Sequence, residues 1–229
     1  MKRNDSIGDF CKMIQKLVEK KDRLSCFTGV PIDHDRIVIL LTADKLVKEE
    51  KPHVFICYWN GDVLINDNQT WTTVNTVQNR LTSEILVLGG EGEVYTGSFG
   101  EIKEETVIDI EPGEGKTGLL RNATPLGKGF LIVGMGGQVY LRKEDKTWTE
   151  IQHDYHNDYF WSLAWFQDTL YVVNNFLLLR YDGHTLVPVE FGEDIPFTFS
   201  RLVAAKDALW SFGPKDIMTF DGKRWKRVV

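Results

Sequence analysis

From His34 to the C-terminus, apolar residues fall in short runs and two-residue alternations, and Gly, Asn or Asp interrupts each run. That is the period of strands joined by tight turns, not of helices. The runs also recur. Leu86-Val87-Leu88-Gly89-Gly90-Glu91-Gly92-Glu93-Val94-Tyr95 aligns without a gap on Leu131-Ile132-Val133-Gly134-Met135-Gly136-Gly137-Gln138-Val139-Tyr140, at an offset of 45 residues. Each copy reads as two strands around a Gly-rich turn. Leu178-Leu179-Arg180-Tyr181-Asp182-Gly183 aligns on Ile217-Met218-Thr219-Phe220-Asp221-Gly222, and both end in the Asp-Gly pair that closes a tight hairpin. Trp71, Trp148 and Trp225 occupy a third matching place, which predicts a packing role for all of them.

Joined in order, these pieces make a unit of four short strands, clearest at Arg201 to Ala205, Leu209 to Phe212, Asp216 to Phe220 and Arg224 to Val229. Equivalent units are expected near 36–75, 79–110, 120–152, 160–191 and 199–229. A four-stranded meander recurring at roughly 30 to 40 residues, with no helix between copies, marks a propeller, whose sheets bury both faces against their neighbours. The expected fold is all-β: a five-bladed β-propeller of four-stranded antiparallel sheets with an N-terminal α-helix. Ile7, Phe10, Cys11, Ile14, Leu17 and Val18 predict that helix, because they fall on one face at spacings of three and four. Ser6 and Asp9 suit its N-cap, and Lys20, Lys21 and Arg23 suit its C-terminal end. Residues 1–33 thus read as a helix and linker packed on a single domain, 34–229.

At these repeats the chain resembles the β-propeller repeat proteins, without the Gly-His and Trp-Asp pair of WD repeats. The Gly89-x-x-Gly92-x-Val94-Tyr95 and Tyr181-Asp182-Gly183 elements also look like those of small bacterial propeller proteins, some of which accompany toxin systems. That second resemblance implies an immunity protein of a toxin-antitoxin pair.

Composition narrows the classes of function. A chain of 229 residues buries enough surface to fold without disulfides or metal. Cys11, Cys26 and Cys57 show no Cys-x-x-Cys spacing, which favours a reducing compartment. Apolar runs such as Ile37 to Leu41 are far short of the ~20 residues a membrane helix needs, and no secretory signal follows the basic N-terminus. A cytoplasmic protein with no membrane partner is expected. A formal charge of −6 argues against nucleic acid, whose phosphates are bound by clustered Lys and Arg, and favours a basic partner.

Two segments invite chemistry. Gly113-Glu114-Gly115-Lys116-Thr117 suggests a phosphate loop, yet the earlier Gly that loop requires is replaced by Ile110, so no nucleotide is expected. His153-Asp154-Tyr155-His156-Asn157-Asp158-Tyr159-Phe160-Trp161 concentrates two His, two Asp and four aromatics. Without a second His cluster a zinc site lacks ligands, and no metal or other cofactor is expected. The expected inner strands, near Asn79-Arg80-Leu81, Arg121-Asn122-Ala123, Trp161-Ser162-Leu163 and Ser200-Arg201-Leu202, carry no Asp or Glu for a glycosidase pair. Trp165, on the third of these, is expected in the core. No catalytic residue is assigned.

In a four-stranded propeller sheet the connections from second to third strand and from fourth strand to the next sheet share one face. Glu91, Glu93, Asp154, Tyr155, His156, Asp158, Tyr159, Glu193 and Asp194 fall on it, whereas the opposite face is mixed or basic. The expectation is a binding module, not an enzyme, whose acidic and aromatic face takes a basic protein such as a toxin and covers its active site. The alternatives are a carbohydrate-binding or glycoside-processing propeller and a scaffold in a larger assembly.

Overall fold

The computed structural model describes the backbone of strands within 23–68 and residues 73–107 and 120–228, except 90, 91, 157, 192, 193 and 195, with side chains from Asn75 onward. The helix expected over 7–18, the Gly-Lys-Thr segment and Trp71 lie outside the described residues. Those residues form strands and turns only, in five four-stranded antiparallel sheets, each a simple meander.

The chain divides into two compact units, 1–78 with 83–105, and 79–82 with 106–229. In the first unit, β1 (Arg23–Pro31), β2 (Ile37–Asp44), β3 (His53–Trp59) and β4 (Val63–Asn68) form one sheet, and β5 (Thr73–Gln78), β6 (Ile85–Gly89), β7 (Val94–Ser98) and β8 (Glu101–Glu105) form another. In the second unit, β9 (Leu120–Leu126), β10 (Gly129–Gly134), β11 (Val139–Arg142) and β12 (Trp148–Glu150) precede β13 (Ser162–Phe166), β14 (Thr169–Val173), β15 (Leu178–Tyr181) and β16 (Leu186–Pro188). The last sheet is β17 (Arg201–Ala204), β18 (Leu209–Phe212), β19 (Ile217–Phe220) and β20 (Trp225–Arg227).

The aligned repeats occupy equivalent strands. The 45-residue offset superposes β6 and β7 on β10 and β11, and the Asp-Gly repeat superposes β15 on β19. Trp148 and Trp225 both open a fourth strand, opposite the last residue of the third, and both are buried. Leu186 holds that place in β16. Every residue of β6 and of β10 is buried, which explains why both read as unbroken apolar runs. Fourth strands differ. β8, β12 and β20 each bury one anchor and expose charge along the edge, as in Glu101–Glu105 and Trp225–Arg227, and charge protects an edge from pairing with another chain, whereas Leu186–Pro188 carries no charge.

The sheet β13–β16 shows how two faces are filled. Leu163, Leu170, Val172 and Leu179 pack toward β9–β12 with Leu131, Val133, Val139 and Phe160. Their neighbours Ala164, Tyr171, Val173 and Leu178 pack the other way, with Phe199, Leu202, Leu209, Met218 and Trp225 of the last sheet. The period of two along a strand thus feeds two cores, and a fully buried Val or Leu in either stabilises by about 1.5 to 3 kcal/mol.

Three boundaries differ from the expectation. The first sheet begins at Arg23, inside the segment expected to be helix and linker, and ends at Asn68. A register shift between Cys26 and Thr28 interrupts the alternation that would have marked β1. Asn79-Arg80-Leu81 forms a turn after β5, not an inner strand. Asn79 is instead a buried tether, whose Nδ2 donates to the carbonyls of Gly127 and Gly129 at 3.0 and 2.8 Å. Trp165 is not core: it is 38 % exposed, with its Nε1 donating to the carbonyl of Pro125 at 3.0 Å.

Candidate partner-binding face

The loop from β12 to β13 is fixed to the β10–β11 turn by His153. That imidazole is buried, its Nε2 lies 2.8 Å from the Gly137 carbonyl, and its Nδ1 accepts from the backbone N–H of Tyr155 at 3.0 Å. An accepting Nδ1 leaves the proton on Nε2, so the ring is neutral and donates to Gly137. Burial lowers its pKa, the neighbouring His156 adds to that, and the Gly137 bond opposes it. His156 and Tyr155 stack on the ring, with centroids at 5.3 and 6.0 Å, and Phe160 meets it edge-on at 5.4 Å. The turn closes from the other side too. Gly137 donates to the Asp158 carbonyl at 2.8 Å, and Phe160 donates to that of Gly134 at 3.1 Å. Only glycine fits at 137, because its φ is +73° and a Cβ would lie 2.3 Å from the His156 carbonyl oxygen.

The next turn, between β14 and β15, continues the face. Asn174 is buried: its Nδ2 donates to Asp158 Oδ2 at 2.6 Å, while its Oδ1 accepts from the N–H groups of Phe176 and Leu177. Asn175 accepts the Trp161 indole N–H at 2.6 Å, and its carbonyl accepts from Phe199 at 3.0 Å. Trp161 in turn meets Tyr159 edge-on at 6.0 Å. Beyond Phe199 the loop is pinned by Arg227, whose Nη1 donates to the buried Asp216 at 2.9 Å and whose Nη2 donates to Asp194 at 2.8 Å. Asp216 also accepts from the Phe197 N–H at 2.7 Å, and the guanidinium sits 4.9 Å over the Phe197 ring. The two carboxylates raise the Arg227 pKa and so hold its charge.

The residues expected to form the site divide by role. Asp154, His156 and Tyr159 are exposed on this face. Tyr155 is half-buried against the core between β9–β12 and β13–β16, and burial raises its hydroxyl pKa, with Asp154 and Asp158 adding to it. The carboxylates of Asp158 and Asp194 are engaged by Asn174 and Arg227, so they shape the loops as well as carrying charge. Glu93 lies in the first unit, where its carbonyl accepts from the Gly89 N–H at 2.7 Å. Glu91 and Glu193 lie outside the described residues. Phe176 and Phe197, 69 % and 65 % exposed, were absent from the expectation. Their signals are local: Phe176 follows the turn-forming pair Asn174-Asn175, and Phe197 alternates with the buried Phe199.

This arrangement suits contact better than bond-making. Among the described residues no three His, Cys, Asp or Glu side chains come together in a way that could hold a metal ion. What the face offers is aromatic surface set by hydrogen bonds, with Asp154 and Glu190 exposed beside it.

No protein-family model matches the chain. In sequence it is similar to the immune protein Tsi7 of Pseudomonas aeruginosa, with 32 % identity over 171 residues, which are 71 % of this chain and 56 % of the relative. The chain therefore spans little more than half the length of that curated relative. In structure it resembles streptogramin B lyase, with a TM-score of 0.58 and 10 % identity over 90 % of this chain and 86 % of the other. It also resembles the WD40 β-propeller domain of Doa1, with a TM-score of 0.55 and 9 % identity over 88 % of this chain and 67 % of that one. At such identities these two likenesses show the fold alone.

Proposed function

Starting from a β-propeller fold and sequence similarity to an immune protein, we propose that this chain is a cytoplasmic immunity protein that binds a basic toxin and covers its active site. The similarity to Tsi7 is the observation that carries the proposal. The chain's charge of −6 and the loop face bearing Asp154, His156 and Tyr159 support it, since opposite charge speeds encounter and adjacent aromatic rings supply affinity. In the second unit these side chains stand on exposed loops between strands, where a folded partner can reach them. The binding role requires no catalysis by the chain itself.

The test is a growth assay. The protein encoded beside this chain's gene, taken as the candidate toxin, is induced in a naive host, with and without the chain, and the purified proteins are then mixed. Growth arrest relieved by the chain, with a stoichiometric complex in solution, supports immunity. Arrest that persists despite soluble expression of the chain overturns it.

A further inference from the structure

Of the nine phenylalanines in the second unit four are buried and three half-buried, but two on the candidate face are exposed. Phe176 and Phe197 are 69 % and 65 % exposed, whereas Phe130, Phe160 and Phe199 are 0 to 2 % exposed. A benzyl ring left in water forfeits the burial free energy that a core position would supply. Both backbones are nonetheless held in place. The Phe176 N–H is bound by the buried Asn174 and the Phe197 N–H by the buried Asp216. The Arg227 guanidinium covers one side of the Phe197 ring. Backbones fixed before contact, and for Phe197 a ring covered on one side, reduce the freedom lost on binding, which is the property of interface anchors.

The surroundings indicate what the rings meet. A run of contacts connects them: Tyr159 touches Trp161, Trp161 bonds to Asn175 beside Phe176, and Asn175 bonds to Phe199, two residues from Phe197. On the same loops stand the carboxylates of Asp154, Asp158, Glu190, Asp194 and Asp216, opposed among described residues by Lys215 and Arg227. The rings are apolar and the net charge around them is negative. Leu81, whose N–H is likewise held by buried Asn79, and Trp165 lie against the β9–β10 hairpin, at the end of the sheets away from these carboxylates.

We infer that Phe176 and Phe197, joined through Asn175 and Phe199 with Trp161 and Tyr159 beside them, are the anchors by which this chain docks a basic protein, their rings entering an apolar pocket rimmed by Lys and Arg. The inference rests on the immunity reading and names the part of the surface that performs it. Asp216 and Arg227 are positioning residues, which fix the loop carrying Phe197.

The experiment uses the full chain and the purified candidate toxin of the growth assay, with binding followed kinetically at two salt concentrations. Phe176→Ala and Phe197→Ala should each raise Kd at least tenfold, about 1.4 kcal/mol, mainly through faster dissociation. Asp154→Lys should slow association severalfold and flatten its salt dependence, while Lys206→Ala, at the opposite end of the sheets, should change neither rate. Melting temperatures near the parent's show that the variants fold; should Phe197→Ala fall well below, Phe176→Ala decides. Both phenylalanine variants binding within twofold of the parent overturns the inference and leaves the immunity reading standing. A parent chain that binds no toxin removes both. Dimerisation of the parent that the same variants abolish, with toxin binding intact, assigns the face to a second copy and overturns the inference as well.

Discussion

The two ends of the sheets in the second unit solve the problem of connecting strands in opposite ways. At one end the turns close on themselves. Asp145, Asp182 and Asp221 each accept backbone N–H bonds from residues two or three positions on, and Gln167-Asp168 joins β13 to β14 in two residues. Charges there balance, with Lys128, Lys143, Lys146, Lys206, Lys223 and Arg224 against Glu144, Asp145, Asp168, Asp182, Asp207 and Asp221. At the other end, the long connections after β12 and β16 bond to the turns beside them through His153, Asn174, Asn175 and Asp216. Each of these turns is closed by its own residues, and one side-chain bond, from Gln167 to the Asp221 carbonyl, links two of them. Loops that interlock depend on one another, and they hold exposed aromatic side chains in fixed places that short turns have no length to offer.

If that contrast is right, equivalent substitutions should cost more at the interlocked end. Gly137→Ala is the strongest test, since the new methyl meets the His156 backbone and the positive φ is strained besides. It should destabilise by about 3 kcal/mol or more, lowering the melting temperature by about 6 to 12 °C. Gly183→Ala, at the self-closing end, shares the positive φ, of +103°, but meets nothing within 4 Å. Its cost should be the backbone strain alone, about 1 to 2 kcal/mol. Equal losses in thermal melts would erase the distinction.

The His153 ring allows a second comparison, by pH. His153→Phe keeps an aromatic ring but leaves the Gly137 carbonyl and the Tyr155 N–H without their partner, at a cost of about 2 kcal/mol at neutral pH. Because burial depresses the folded pKa of His153 below 6.5, its neutral ring contributes full stability above that value, and the contribution is lost as pH falls through the folded pKa. Backbone N–H donors depress Asp182 and Asp221 below 3.8, so their contribution is complete above that value and is lost only in stronger acid. Between pH 7 and 5, therefore, melting temperature should fall more steeply in the parent than in His153→Phe. Matching slopes would mean that the imidazole does not hold this face together.

What the sequence shows of this molecule follows from which interactions are local. Strands such as Ile85–Gly89 and Gly129–Gly134 are buried along their whole length, so apolar runs and Gly turns announce them. Thr73–Gln78 carries Thr, Asn and Gln, so its first residues read as the end of the 36–75 unit and the inner strand of the next is expected at Asn79. On the candidate face the 153–161 loop is conspicuous by composition. The engagement of Asp158 by Asn174, and of Asp194 and Asp216 by Arg227, joins residues far apart in the chain, so those acids read as free surface charge. Phe176 and Phe197 were missed for a related reason: an aromatic residue in a β-rich sequence reads as core until the loops around it are placed.

The self-closing end leaves room for a small gain. Gln167 and Asp168 have φ of +47° and +59°, the left-handed pair of a type I′ hairpin between Phe166 and Thr169, where Asn-Gly is the favoured sequence. Gln167 is better left unchanged, because its Nε2 donates to the Asp221 carbonyl at 3.1 Å and so joins two turns. Asp168→Gly removes a left-handed penalty of about 1 to 2 kcal/mol, and the added freedom of glycine in the unfolded chain returns about 0.5 to 1 kcal/mol of that. The net gain of about 0.5 to 1 kcal/mol should raise the melting temperature by about 1 to 4 °C. Toxin affinity should stay unchanged, because the turn stands at the end of the sheets away from Phe176 and Phe197. A stabilised variant with weakened binding would show that the two ends are coupled, and that the self-closing turns also position the face opposite them.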